Sequence, residues 1–540
     1  MMALFLRVFF LLVVISGSVA AIAQDSAVSN AASTITVEQF VIDNFVAYPQ
    51  LQITRDTIDA VFATWQKKLG KQLTMQQING VSDEITRLYR VKGLMLARAL
   101  VPPQKMTDGI VHLRIEPGVL SEIVVSGQQE TRGAIISRPF QPLLRDAVKK
   151  SDVEAALAQV DGLPGLDAFS YFSAGDLPGE TRINIKVLKE EKNPTQANLR
   201  FDNFGNKSTG EYRLLGDVQV ANIYGFGERY QLGVLQSLAA DSSTLGYLYG
   251  SFPFFHAFWR QSIYFSNSQF QLGDDFKILD ISGRGHEAHV SWQYDNFFSH
   301  QPTFEISLGD YVNRIESEVV GSAVNRDQHV MDLQLGARKS WQGVRQHYAL
   351  HSIWIGGHQS GQIDNIDADY NAIEVKTFGQ WLLNQPKKDE SRRLGSWFLD
   401  SSLRLLWSDQ PLPNHAQLVL AGPSVNRGFL PGIAAADQGF AWQTNLYSPL
   451  LFTSPQLQPY FFVDFSGGKR FSLDSDTAQV SVENQLISVG LGLQTQFNPA
   501  FSFNLSWGYG LRYDSKINGE TTDLLDDDQQ LYGTLTYFWQ

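Results

Sequence analysis

Phe501-Ser502-Phe503-Asn504-Leu505-Ser506-Trp507-Gly508-Tyr509 puts a large apolar side chain at every odd position and a small or polar one at every even position. Side chains alternate across a strand, so this stretch offers one apolar face and one wet face. Ile487, Val489, Leu491 and Leu493 repeat the pattern against Ser488, Gly490, Gly492 and Gln494. Leu531, Leu535, Tyr537 and Trp539 do so against Tyr532, Thr534, Thr536 and Phe538, less cleanly. A membrane barrel requires this dyad pattern, with lipid outside and a polar lumen inside. A soluble antiparallel sandwich alternates too. Three features favour the barrel: glycine and serine at the inward positions, aromatics clustered near strand ends, and a chain that stops on a strand with an aromatic tail.

Working back from that stretch, alternation prevails over residues 193–540. About 345 residues at ~20–22 per strand and loop give about sixteen strands. The polar intervals Gln362 to Asn371 and Lys516 to Gln530 are expected as outer loops. Residues 34–192 read differently, as two α+β repeats of about 75 residues. In the first, Thr54 caps a helix carrying Ile58, Val61, Phe62 and Trp65. A second helix runs from Met75 to Lys92 with Ile78, Val81, Ile85, Leu88 and Tyr89 on one face. Leu94 to Val101 and Gly109 to Ile115 follow as strands around Pro102-Pro103-Gln104. The second repeat opens at Ile123-Val124-Val125, has a helix from Ser151 to Val160 with Ser151 as its cap, and closes with strands at Phe169-Ser170-Tyr171-Phe172 and Arg182 to Leu188.

The first residues read as a cleavable secretory signal over 1–23: Arg7, the apolar run Val8 to Ile15, then Ala21-Ile22-Ala23. No later stretch approaches the ~20 consecutive apolar residues of a membrane helix, so the mature chain can enter a membrane only as strands. The chain has no cysteine, which excludes disulfides, thiolate metal sites and cysteine nucleophiles. Its 43 basic against 55 acidic side chains give a net charge of −12, which disfavours nucleic-acid binding. There is no nucleophile–base set, phosphate loop or zinc motif, and Gly225-Phe226-Gly227 lies between strands and is no dinucleotide fingerprint. The acidic run Asp523 to Asp528 reads as a solvated outer loop rather than a cation site. No enzyme activity, cofactor or metal is expected.

Two positions in the barrel region stand apart. Asp464 has the opposite parity to Leu457, Phe461, Val463 and Phe465, so if those face lipid it faces the lumen. Arg427 carries a planar, permanently charged fork that grips a carboxylate bidentately. An arginine tip and an aspartate on an alternating strand can meet inside a barrel, with Gly428 allowing close approach to the wall and Phe429 filling a wall pocket.

Several motifs in order resemble the two-partner secretion transporters, the TpsB family, within the superfamily of outer-membrane protein translocases and insertases. Ile85-Thr86, Tyr89, Gly93, Pro102-Pro103-Gln104 and Gly109 resemble the family's first polypeptide-transport-associated (POTRA) domain. Leu163-Pro164-Gly165 and Gly175, Pro178-Gly179-Glu180-Thr181 resemble the second. Asp202-Asn203, Gly205 and Thr209-Gly210, then Asn222, Gly225 and Gly227-Glu228, resemble the first barrel hairpin, and Ser251-Phe252-Pro253 the next strand. Val425, Arg427, Gly428 and Phe429 resemble the tip of the family's long sixth loop, which the resemblance implies is folded into the lumen near 408–440, and Asp464 with Gly467 resemble its partner on the wall.

The resemblance implies a membrane all-β protein: a sixteen-stranded transmembrane barrel over 193–540 preceded by two small α+β POTRA domains over 34–117 and 118–192, with a short segment 24–33 after the signal. It implies an outer-membrane translocase of a Gram-negative envelope with periplasmic N-terminal domains. The partner would be a secreted exoprotein of adhesin or haemolysin type with an N-terminal secretion domain. An assembly factor of the same superfamily and a solute porin are the alternatives. Two departures stand out. Asn426 occupies the place before the arginine where the family has valine, and the short segment before the first repeat leaves little room for the plug helix that many members carry.

Overall fold

The computed structural model describes residues 34–539 apart from short stretches at 106–107, 239–242, 299–300, 320–321, 344, 362–366, 385–394, 473–479, 518–519 and 526–527. The expected signal 1–23 and the segment 24–33 lie outside the described residues. Contacts divide the chain into two compact units, one ending at Pro117 and one beginning at Gly118.

The first unit comprises β1 (Thr34–Thr36), β2 (Gln39–Ile42), α1 (Arg55–Leu69), β3 (Gln72–Thr74), α2 (Met75–Val91), β4 (Arg98–Leu100) and β5 (Ile110–Glu116). Thr54 caps α1 by accepting from the Thr57 N–H, and Thr74 with Gln77 forms a reciprocal capping box on α2. Ile58, Phe62, Ile78, Val81 and Ile85 are buried, in a unit whose three-stranded sheet runs β2-β5-β4. Tyr89 is buried with them, and burial, helped by Tyr48, pushes its hydroxyl up to about 12, so it packs as a neutral group. The strand expected over 94–101 is shorter. Leu94 and Ala97 are buried in a turn that follows α2, and only Arg98–Leu100 pairs with β5.

The second unit begins with β6 (Val119–Ser126), α3 (Gly133–Ser137), α4 (Lys150–Asp161), β7 (Leu166–Ala174) and β8 (Glu180–Glu190), whose sheet runs β6-β8-β7. Ser151 is not the cap of α4. Lys149 holds that position without a side-chain bond, and the Ser151 hydroxyl turns instead to Asp152. An acidic residue in the first turn favours the helix N-terminus, so Asp152 supplies part of what a cap would.

The rest of the unit is a closed antiparallel barrel of sixteen strands. They begin with β9 (Thr195–Asp202), β10 (Arg213–Ala221), β11 (Arg229–Ser237), β12 (Ser243–Pro253), β13 (Trp259–Gln271) and β14 (Ser282–Tyr294). Longer strands follow: β15 (Thr303–Val319), β16 (Ser322–Gln342), β17 (Gln346–Gly361), β18 (Asp367–Leu382) and β19 (Phe398–Trp407). A short pair, β20 (Leu418–Val419) and β21 (Ala435–Ala436), lies inside the long connection to β22 (Gln438–Tyr447). After β23 (Phe452–Thr453) come β24 (Gln456–Ser472), β25 (Val480–Asn498), β26 (Phe501–Ile517), β27 (Glu520–Asp523) and β28 (Gln529–Trp539), which pairs with β9 to close the ring. Outward rows are aliphatic and aromatic: Leu232 and Val234 on β11, Ile263 and Phe265 on β13, Phe440 and Trp442 on β22 are all exposed. No described helix is long and apolar enough to cross a membrane. The strands outrun the expected outer loops: β18 starts at Asp367, and β26 with β27 forms a hairpin within 514–523. Polarity marks where a strand leaves lipid, and a ladder can continue past that point in water.

One mouth of the barrel is gripped by the second α+β domain. The turn 222–228 between β10 and β11 receives the segment after β6: Asn222 Nδ2 donates to Thr131 Oγ1 at 2.8 Å, and Arg132 N donates to the Gly225 carbonyl at 3.0 Å. The Arg132 guanidinium lies 3.9 Å from the Phe226 ring centroid. Gly225 has φ +76°, and a Cβ there would sit 2.5 Å from the Glu130 carbonyl oxygen. Glu190, at the end of β8, braces this segment by accepting from the N–H groups of Gln129, Glu130 and Thr131 at 2.6, 2.9 and 2.5 Å. Partial burial pushes the Glu190 pKa up, but the bonds from Thr131, Glu130 and Gln129 outweigh it and hold the carboxyl below the usual glutamate range. A depressed folded pKa gives stability that is complete above the unfolded value of about 4.3 and is lost as pH falls through the lower folded value. Glu190→Ala is expected to weaken the junction by roughly 1–2 kcal/mol, discounted for partial exposure. Amide protection over 128–132 should then be lower at neutral pH, and the wild type should lose the same protection only in acid.

Candidate functional site

The connection between β19 and β22 folds into the lumen and crosses it. Leu412, Ala416, Leu418, Leu420, Val425, Phe429, Ala434 and Ala436 of this loop are buried in one cluster with Tyr311, Val330, Ile353, Tyr370 and Leu486 of the wall. At the tip, Arg427 meets Asp464 of β24. Arg427 Nε donates to Asp464 Oδ2 at 2.8 Å, Nη2 to Oδ1 at 2.6 Å, and the Arg427 backbone N–H to Oδ2 at 3.0 Å. The side chains are 8% and 0% exposed, so the pair is essentially dry. The guanidinium also lies 3.6 Å from the Phe462 ring centroid, on the same inward face as Asp464, a contact that adds attraction.

The sequence-derived tip residues divide by role. Val425 is 8% exposed and packs in the loop cluster. Gly428 is pressed against the wall: a Cβ there would sit 2.5 Å from Ser488 Cβ and 2.9 Å from Gly510 N. Phe429 is fully buried, edge-on to Tyr513 at 5.7 Å, and its carbonyl accepts from Tyr532 Oη at 2.6 Å. Gly467 does not face the loop. It has odd parity on β24, opposite to Asp464, and lies on the outer face beside the Phe440 ring. On β24 the glycine that gives the loop room is Gly468, whose Cβ would meet Ala436 Cβ at 2.6 Å.

Asn426 turns from a departure into a fastener. It is fully buried, its Nδ2 donates to Ser466 Oγ at 3.0 Å and to the Leu486 carbonyl at 3.1 Å, and its Oδ1 accepts from Ser488 Oγ at 2.6 Å. Asn426→Val would strand these partners in a dry site, at roughly 1–3 kcal/mol. Thermal loss of the loop's protease resistance should therefore come at lower temperature.

The base of the loop is anchored on the far side by residues that sequence reasoning did not single out. The His415 ring stacks on Tyr311 at 3.6 Å and its Nε2 lies 3.4 Å from Asp332 Oδ2. Gln359 Nε2 donates to the Pro411 carbonyl at 2.9 Å. Asp437 is buried and accepts from Leu412 N, Gln417 Nε2 and Phe471 N at 2.9, 3.0 and 2.6 Å. The loop is thus fastened at β15–β17 and at β24–β28, on different arcs of the ring. Among the described residues no group of three or more His, Cys, Asp or Glu could hold a metal. Residues 526–527 of the acidic run lie outside the described residues.

A family model described as haemolysin secretion/activation protein ShlB/FhaC/HecB matches residues 179–495. A POTRA domain of the ShlB type matches residues 52–118. The heme/hemopexin transporter protein HuxB of Haemophilus influenzae (strain 86-028NP) is 24% identical over 451 residues, covering 81% of this chain and 78% of HuxB. The outer membrane transporter CdiB of Dickeya dadantii (strain 3937) is 24% identical over 70% of this chain and 67% of its own. Among solved structures, CdiB from Escherichia coli shares the fold with a TM-score of 0.69 at 18% identity, covering 96% of this chain and 93% of that one. A barrel with an inward loop behind POTRA domains, together with a family match over more than half its length, places the chain in the haemolysin secretion/activation family ShlB/FhaC/HecB as an outer-membrane transporter of two-partner secretion.

Proposed function

We propose that this transporter carries one large exoprotein, recognised through an N-terminal secretion domain, and that the tip at Arg427 and Asp464 keeps the lumenal loop ordered while the client passes. The observation that carries the reading is a loop that spans the lumen yet is fixed to the wall by a dry, bidentate ion pair. Such a pair contributes little net stability against an apolar substitute, so its use is in specifying one arrangement. Capture would fall to edge strands. Both β4 and β7 end a three-stranded sheet, and β7 carries exposed Phe169 and Tyr171 with stacked rings. An extended client can add to such an edge by main-chain bonds with little demand on its sequence. The domains act as 34–117 and 118–192 for capture and 193–540 for conduction in the outer-membrane lipid, with no step of covalent chemistry.

Removing residues 34–117, a compact unit by itself, is expected to abolish binding of the exoprotein's secretion domain and to leave single-channel conductance in a planar bilayer. Secretion at the wild-type level from the shortened chain would overturn the capture role.

A further inference from the structure

Three arginines stand at the mouth that the second domain grips. Arg229 opens β11 and Arg260 lies at the start of β13. Both have inward parity, since Leu232 and Val234 on β11 and Ile263 and Phe265 on β13 are the exposed outer row. Ser251 of β12 lies directly opposite Arg229, and its Oγ accepts from Arg260 Nε at 2.7 Å. The two arginines therefore stand on the strands either side of Ser251. Arg229 Nη2 donates to the Gly162 carbonyl at 2.7 Å, and Arg260 Nη2 reaches the Gly227 carbonyl at 3.5 Å. Arg138, from the second domain, donates to the Phe254 carbonyl at 2.9 Å.

All three line one cavity of about 390 Å³, in which Asp295 is the one lining carboxylate. Among the described residues none of the three arginines is in an ion pair. Each guanidinium has five N–H donors, and neutral carbonyls and a hydroxyl occupy only some of them. Like charges crowded in a partly enclosed site repel unless an anion joins them. In a chain whose net charge is −12, a basic mouth is a local field of the opposite sign, suited to drawing in anions.

We propose that Arg229 and Arg260, with Arg138 beside them, form a receiving site for carboxylates, through which acidic stretches of the extended client enter the lumen. The inference rests on the translocation reading given above. The inward parity of both strand arginines turns the site away from the lipid-facing surface and favours a polypeptide over a lipid headgroup.

The test uses the full chain in detergent and a fluorescent sixteen-residue peptide of alternating Gly and Glu, followed by anisotropy, with Gly-Gln and Gly-Lys peptides beside it. The Gly-Glu peptide is expected to bind at least about tenfold more tightly than Gly-Gln, and Arg229→Gln or Arg260→Gln to weaken it by about tenfold each. Retained heat-modifiable gel mobility shows that a variant is folded; if Arg260→Gln fails this, Arg260→Lys replaces it, with an intermediate loss expected because the fork is gone. In cells the double variant is expected to lose export of the partner exoprotein. Equal binding of Gly-Glu and Gly-Gln, or wild-type binding by the folded double variant, overturns the site and leaves translocation standing. Lost peptide binding with normal export overturns the entry role. Displacement of the peptide by phosphatidylglycerol with export unchanged overturns it in favour of lipid. Absence of export by the wild type with its partner overturns the translocation reading instead.

Discussion

Arg427→Ala is expected to stop export of the partner exoprotein while the barrel still inserts and closes. The two halves of that result have separate causes. Every barrel strand is laddered to its neighbours without help from the loop, so closure does not depend on Arg427. The tip does. Removing the guanidinium leaves Asp464, 0% exposed, as an uncompensated charge, which costs about 3–5 kcal/mol. That raises the undocked share of the loop by roughly 10²–10⁴-fold. Arg427→Lys keeps the charge but cannot reproduce the two-pronged grip of Nε and Nη2, so it should export at an intermediate level. Exchanging the partners, Arg427→Asp with Asp464→Arg, should restore part of the loss, but the backbone bond from residue 427 to the carboxylate and the stack on Phe462 are not recreated. The measurement is the ratio of exoprotein in the medium to that in the periplasm, with gel mobility as the check on folding. Normal export by Arg427→Ala would end the role assigned to the tip.

Gly508→Val should reach a similar outcome from the wall side. A Cβ at Gly508 would stand 2.3 Å from the Arg427 carbonyl oxygen and 2.9 Å from Gly428 N. Both are backbone atoms, so no side chain can rotate out of the way. Strand β26 is held by β25 on one side and β28 on the other, which leaves the tip as the part that must lift. Overpacking costs ~1–3 kcal/mol where side chains can adjust, and a backbone collision lies at or above the upper end. Export should fall by roughly tenfold or more. Gly246→Val is the matched control, since nothing lies within 4 Å of a Cβ built there. Equal loss from both variants would mean that valine in a strand, not the collision, is responsible.

Strand facing was legible because period-two alternation in Phe501–Tyr509 or Ile487–Leu493 reports directly which side meets lipid. The same parity that turned Asp464 inward also turns Gly467 outward, and its pairing with the loop came from resemblance rather than from counting. Helix α1 was legible through its threonine cap and α2 through its apolar face, whereas the Ser151 signal was misleading because Asp152 competes for its hydroxyl. The loop's base was not legible. His415 meets Asp332 across 83 positions of sequence, and no local pattern encodes a contact that arises only once a ring of strands closes. A partial signal existed at the tip: Ser488, Gly508 and Gly510 are small inward residues on neighbouring strands, which marks wall where something lies close.

The loop that spans the lumen also bears on how tight the envelope is to ions and small solutes. Because losing one partner of the dry ion pair costs about 3–5 kcal/mol, the undocked share of the loop depends on Arg427 and Asp464 both being present. Baseline leak of ions through each barrel should then rise in Arg427→Ala, because a loop freed from the wall no longer holds one fixed arrangement across the lumen.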